Sequence, residues 1–128
     1  MSEPIVFISH HRVKEGKIDG FKQYSQQVVT GLEADKPGTV VFLGYLNADA
    51  TEVTFIHAFP DADAMDLHMQ GAADRSRGAY EFIEPASFEI YGRPNEGVLE
   101  MMKQISGSEI AVTIQSQYMV GFTRLSSG

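Results

Sequence analysis

"TVVFLGYLNADATEVTFIHAFPDADAMDLHM", residues 39–69, decides the fold. Two runs rich in β-branched and aromatic residues, 39–46 and 51–59, flank the polar turn Asn47-Ala48-Asp49-Ala50, the pattern of a β-hairpin. Side chains alternate along a strand, so Val53, Phe55, His57 and Phe59 share one face and Glu52, Thr54, Ile56 and Ala58 the other. After Pro60 the spacing predicts a helix. Asp61 is placed to cap it, and Asp63 adds a carboxylate where the helix dipole favours negative charge. The helix is expected to run to about Gln70, with Gly71 available to end it.

The flanking segments complete a pattern. PIVFISHHRV, residues 4–13, reads as a strand whose first half is apolar on both faces, as in a strand covered on both sides. Ile18, Phe21, Tyr24, Ser25, Val28 and Leu32 recur at helical spacing, predicting an amphipathic helix over 17–34 that Pro37 and Gly38 stop. A second helical segment is expected over 72–82, then a strand, ASFEIYG, over 86–92, after Pro85. The order β-α-β-β-α-β is the α+β, ferredoxin-like arrangement, complete over about residues 4–93 of one domain spanning 1–128.

Residues 94–128 form an extension. A short helix is expected over 95–106, ended by Gly107, with Val98, Leu99, Met101, Met102 and Ile105 as its apolar positions. In EIAVTIQSQYMVGF, residues 109–122, Ile110, Val112, Ile114, Tyr118, Val120 and Phe122 share one parity, which predicts a long strand with one buried face. Such a strand either joins the edge of its own sheet or pairs with a partner subunit, because unpaired edges invite association.

Composition narrows the function. The 128 residues carry a net charge of −7 with ten Lys plus Arg thinly spread, so nothing offers a track for a phosphate backbone or an anionic membrane surface. There is no cysteine, which removes disulfides, thiolate metal sites and thiol nucleophiles. MSEPIVFISHH lacks the basic start of a signal peptide, and no apolar run reaches the ~20 residues of a membrane span. The expected location is cytoplasmic.

The longer stretch "ADKPGTVVFLGYLNADATEVTFIHAFPDADAMDLHM", residues 34–69, resembles the antibiotic biosynthesis monooxygenase-like family of the dimeric α+β barrel superfamily. The resemblance rests on Pro37-Gly38 ahead of a strand, the hairpin, and a strand leading into a helix with a histidine near its end. It implies a homodimer in which two ferredoxin-like protomers pack sheet against sheet, each with a pocket between sheet and helices. Some members oxidise phenolic or quinol-type molecules with dioxygen and no flavin, haem or metal; others have no established activity. His68 falls where the family often has histidine, His57 where many members have glutamate, and Phe59 where many have tryptophan, a residue this chain lacks.

The histidines are the candidate chemistry. His10 and His11 are adjacent on a strand and point to opposite faces, so they cannot share one ion, and no HExxH pair is present; no metal site is expected. Imidazole is a natural proton acceptor for a phenol, which makes His57 and His68 the candidate catalytic bases. Each has an ordinary alternative: His57 as a hydrogen-bonded core residue, His68 as a packed helix-face residue. Phe42, Tyr45, Phe55 and Phe59 are the candidate walls of a substrate pocket. Arg75 and Arg77 are placed to hold an anionic group, or to pair with Asp74 or Glu81 at a wet helix end. The leading expectation is a cofactor-independent oxidation of a small aromatic molecule. The alternative is a non-catalytic dimeric small-molecule binding or stress-associated protein.

Overall fold

In a computed structural model, which describes residues 3–106 and 108–124, the chain folds in the order β1 (Ile5–Val13), α1 (Ile18–Asp35), β2 (Val41–Leu46), β3 (Glu52–Phe59), α2 (Ala62–Met69), α3 (Ala72–Ala79), β4 (Ile83–Tyr91), α4 (Glu96–Ser106) and β5 (Ala111–Gln115). The strands form one sheet in the order β2-β3-β1-β4-β5. Its first four strands are antiparallel, the ferredoxin-like core, and β5 joins β4 in parallel.

Local chemistry explains the central hairpin. Asn47 Oδ1 accepts from the backbone N–H groups of Thr51 and Glu52, both at 2.9 Å, which closes the turn between β2 and β3. The resulting register sets Phe42 opposite His57 and Gly44 opposite Phe55. Asp61 caps α2 by accepting from the Ala64 N–H at 2.8 Å. Gly71 then adopts φ 83°, a left-handed conformation open to glycine at little cost, and separates α2 from α3.

Three expectations need correction. The segment expected as one helix over 72–82 stops at Ala79, because the Phe82 N–H bonds back to Ala79 O (2.8 Å) and Phe82 O accepts from Lys14 N–H (2.9 Å). Strand β4 therefore starts at Ile83, and Pro85 lies inside it. The sheet accommodates the proline through a register shift: His10 pairs with Ser87 and His11 with Pro85, leaving Ala86 as the extra residue. A proline has no N–H to offer a ladder, and such irregularities are where strands tolerate it. The long terminal strand is short. Its pairing on β4 ends where Tyr91 meets Gln115, with a last bond from the Gly92 N–H to Gln115 O (2.9 Å), and Gly92, at φ 116°, leaves the strand conformation. Residues 116–124 are not in a strand, and Met119, Val120 and Phe122 stand exposed. The expected helix stop at Gly107 lies outside the described residues.

All the helices pack on one face of the sheet. Phe21 of α1 lies with Val53 and Ile83. Met65 of α2 and Val98 and Met102 of α4 lie with Ile5, Phe7, Phe59, Phe88 and Ile90. Helix α4, read from the sequence as an addition, is therefore part of the core. Burying side chains of this size stabilises by about 1.5–3 kcal/mol each. No helix among the described residues is long and apolar enough to cross a membrane.

Candidate active site

Between the sheet and the helices lies a cavity of about 480 Å³, within the ~300–1,000 Å³ usual for small-molecule sites. Phe7, Phe42, Phe55 and Phe88 form its floor; α1 contributes Phe21 and Tyr24, and α4 contributes Met101, Met102 and Ile105. Gly44 lets the floor form: a Cβ there would stand 2.8 Å from the Phe55 ring, which lies across β2 and meets Phe42 at 5.5 Å.

The polar groups in this apolar space are few. His57, 6% exposed, sits mid-strand on β3 with its ring 4.9 Å from Phe7 and 4.8 Å from Phe42. Its Nδ1 lies 3.0 Å from the Phe7 carbonyl. A carbonyl only accepts, so Nδ1 carries the proton, and the neutral ring keeps its lone pair on Nε2. Burial lowers its pKa to about 4 against the raising effect of the Phe7 bond, and the Arg75 charge lowers it further. His57 is therefore neutral at pH 7.

His68 approaches from α2, its ring 5.1 Å from that of His57. It is 3% exposed and shares a 2.7 Å hydrogen bond between Nδ1 and Thr39 Oγ1. Burial, then the charges of His57, Arg75 and Lys36, lower its pKa to about 3. Arg75 reaches back from α3 and donates to the carbonyls of His68 (2.6 Å) and Gln70 (3.1 Å). It also lines the cavity. Cap and cation thus hold the end of α2 against the sheet, which brings the two histidines together across eleven residues of sequence.

Of the expected wall residues, Phe42 and Phe55 line the cavity. Tyr45 does not: Phe42 and Gly44 share the cavity side of β2, so alternation sends Tyr45 to the opposite side, 57% exposed. Phe59 is buried under Ala64 and Met65 of α2, with its ring 5.2 Å from His68; it supports the histidine from beneath and is not a cavity wall. Arg77 pairs with Asp74 at the wet end of α3. Helical spacing marks Tyr24, Met101 and Met102 as packing positions, and spacing alone cannot distinguish a core face from a cavity face. Among the described residues no group of three His, Asp or Glu is placed to hold a metal ion.

The opposite sheet face is different. There His10 Nε2 donates to Glu89 Oε2 (2.5 Å), His10 Nδ1 meets Thr54 Oγ1 (3.0 Å), and the Tyr91 hydroxyl donates to Glu89 Oε1 (2.5 Å). The bonds from Tyr91 and then His10 hold the Glu89 carboxyl below its ordinary range.

No family model matches the chain, and no curated protein matches it in sequence. Solved structures do match. MupZ from Pseudomonas fluorescens superposes with a TM-score of 0.69 at 16% identity, over 94% of this chain and 96% of its own. SnoaB from Streptomyces nogalater, a cofactor-independent oxygenase, gives 0.59 at 14% identity, over 73% and 96%. A Caulobacter crescentus protein named "putative antibiotic biosynthesis monooxygenase" gives 0.61 at 14%, over 70% and 88%. The core over residues 4–93 is 90 of the 128 residues, about 70%, so a match over 94% must include part of the extension that carries α4 and β5. The likeness is one of fold: this chain has the ferredoxin-like α+β architecture of the antibiotic biosynthesis monooxygenase-like proteins that its sequence resembles.

Proposed function

We propose that the chain is a cofactor-independent oxygenase of a small hydroxylated aromatic molecule, with His57 as the proton acceptor. One observation carries this reading: the Phe7 carbonyl holds His57 in the Nδ1–H form, which leaves the Nε2 lone pair free to accept a proton on a ring that lines an apolar, aromatic-walled cavity. His57 takes the proton of the aromatic hydroxyl, and the positive charge of Arg75 favours the anion. That electron-rich anion passes one electron to dioxygen, and the radical pair joins at a ring carbon bearing hydrogen. The resulting peroxide takes the proton back from His57 and loses water, leaving a carbonyl. One oxygen atom enters the product and the other leaves as water, with all four electrons supplied by the substrate.

The test is oxygen uptake by the purified protein against a panel of quinols and phenols after exhaustive chelation. Uptake is expected to persist without metal and to disappear in His57→Ala; His68→Ala is expected to reduce it. One observation favours a second reading, a binding protein without turnover. Burial holds His57 and His68 at about 4 and 3, and the bonded partners of both are a carbonyl and a hydroxyl, not a carboxylate that would raise basicity. Panel members that raise the melting temperature and are not consumed would support that reading.

We also propose a homodimer closed through the helix-free sheet face. Val6, Ile8 and Ile56 are only half-buried there, and Leu43 and Tyr45 are exposed. Sedimentation equilibrium is expected to return the mass of two chains, and a single-chain mass would overturn the assembly.

A further inference from the structure

We propose that His11 is a ligand-binding residue: its Nε2–H donates a hydrogen bond to an acceptor oxygen at one end of an elongated aromatic molecule whose hydroxyl meets His57 at the other. The inference rests on reading the cavity as an aromatic-hydroxyl site, and adds to it where the second polar contact lies and what chemistry it takes.

His11 is 8% exposed and lines the same cavity as His57. Its Nδ1 is a buried side-chain nitrogen with no hydrogen-bond partner among the described residues. A buried N–H without an acceptor is rarer in folded proteins than a lone pair without a donor, so the proton belongs on Nε2. That nitrogen is the edge of the ring left to meet a ligand. The two histidines are thus opposite in sense: His57 offers a lone pair and His11 offers an N–H. Burial lowers the His11 pKa to about 4, so this neutral form is the one present at pH 7.

The register separates them. His57 is opposite Phe7, and His11 is opposite Val53, four residues further along both strands, or roughly 13 Å of sheet at the ordinary rise. Between them Ser9 pairs with Phe55 on one side and Phe88 on the other. The His11 ring stands edge-on to both phenylalanines, at 6.0 and 6.1 Å. A small residue flanked by two aromatic rings leaves a flat apolar slot with an acceptor at one end and a donor at the other. A fused-ring phenol carrying a carbonyl at its far end fits that pattern.

The experiment compares 2-naphthol with 6-acetyl-2-naphthol, titrated by fluorescence at pH 7 into the native protein, His11→Phe and His11→Gln. The acetyl group is expected to tighten binding to the native protein about five- to tenfold, the effect of one net hydrogen bond. His11→Phe should abolish that difference while leaving 2-naphthol binding within about twofold, and His11→Gln, which keeps an N–H, should restore part of it. Equal weakening of both probes in His11→Phe, or an acetyl effect that survives it, would make His11 structural and overturn the proposal. If 2-naphthol binds and the acetyl group adds nothing to the native protein, the His11 assignment alone fails. If neither probe binds, the aromatic-hydroxyl reading of the cavity fails with it.

Discussion

His10 and His11 are neighbours in the chain and differ in nearly everything else. His11 turns to the helix-covered face, where with His57 and His68 it is buried among aromatic rings. His10 turns to the other face and sits between Thr54 and the carboxylate of Glu89, with more than a third of its side chain open to solvent. One residue of strand alternation separates a neutral imidazole in an apolar cavity from one paired with an anion. The residue type sets what histidine can do, and the face sets which of those roles is available.

The largest test of that contrast is packing. Phe59→Ala removes a fully buried ring that supports both His57 and His68, and is expected to cost about 3–5 kcal/mol in urea unfolding. Tyr45→Ala, exposed on the other face and inside the proposed dimer contact, is expected to stay within about 0.5 kcal/mol at protein concentrations low enough to dissociate the dimer. Similar costs at the two positions would contradict the assignment of faces.

Acid separates the faces next. A buried histidine whose folded pKa is depressed stabilises the fold above its unfolded value and loses that contribution as pH falls toward the folded value. For His57 the window runs from 6.5 down to about 4 and is worth on the order of 3 kcal/mol. Glu89 has the same sign in a lower window, since its depressed carboxyl loses its contribution only as pH falls below the ordinary value of 4.5. Stability should therefore fall between pH 7 and 5 as the buried histidines of the cavity face lose their contribution, and His57→Gln should make that part of the curve shallower. A flat native profile there would contradict burial of the three histidines.

Much of this is legible in the sequence. The hairpin, the Asp61 cap and the parity of β3 follow from short-range rules, because turn chemistry and alternation act within a few residues. What was not legible depends on distant partners. Pro85 sits inside β4 because β1 shifts register across from it. The terminal strand stops at Gln115 because β4 ends at Tyr91, whatever parity continues to Phe122. The pocket was half visible: His57, Phe42 and Phe55 lay on readable faces, whereas the contributions of Tyr24, Met101 and His11 needed the helices in place.

Smaller effects sharpen the picture. Asp61→Ala removes the α2 cap and is expected to cost about 1 kcal/mol, with loss of alignment between His68 and His57 seen as a changed His68 ring resonance. Tyr91→Phe, in the network around Glu89 on the opposite sheet face, is expected to leave the His57 resonances unmoved.

The most direct measurement is the side-chain nitrogen NMR spectrum of His57 in the native protein, followed from pH 7.5 to 4. A neutral ring is expected at pH 7, with its proton on Nδ1 and titrating near 4, and a perturbed Nε2 on addition of 2-naphthol. A His57 that carries its proton on Nε2, or that titrates at 6.5 or above, would contradict it.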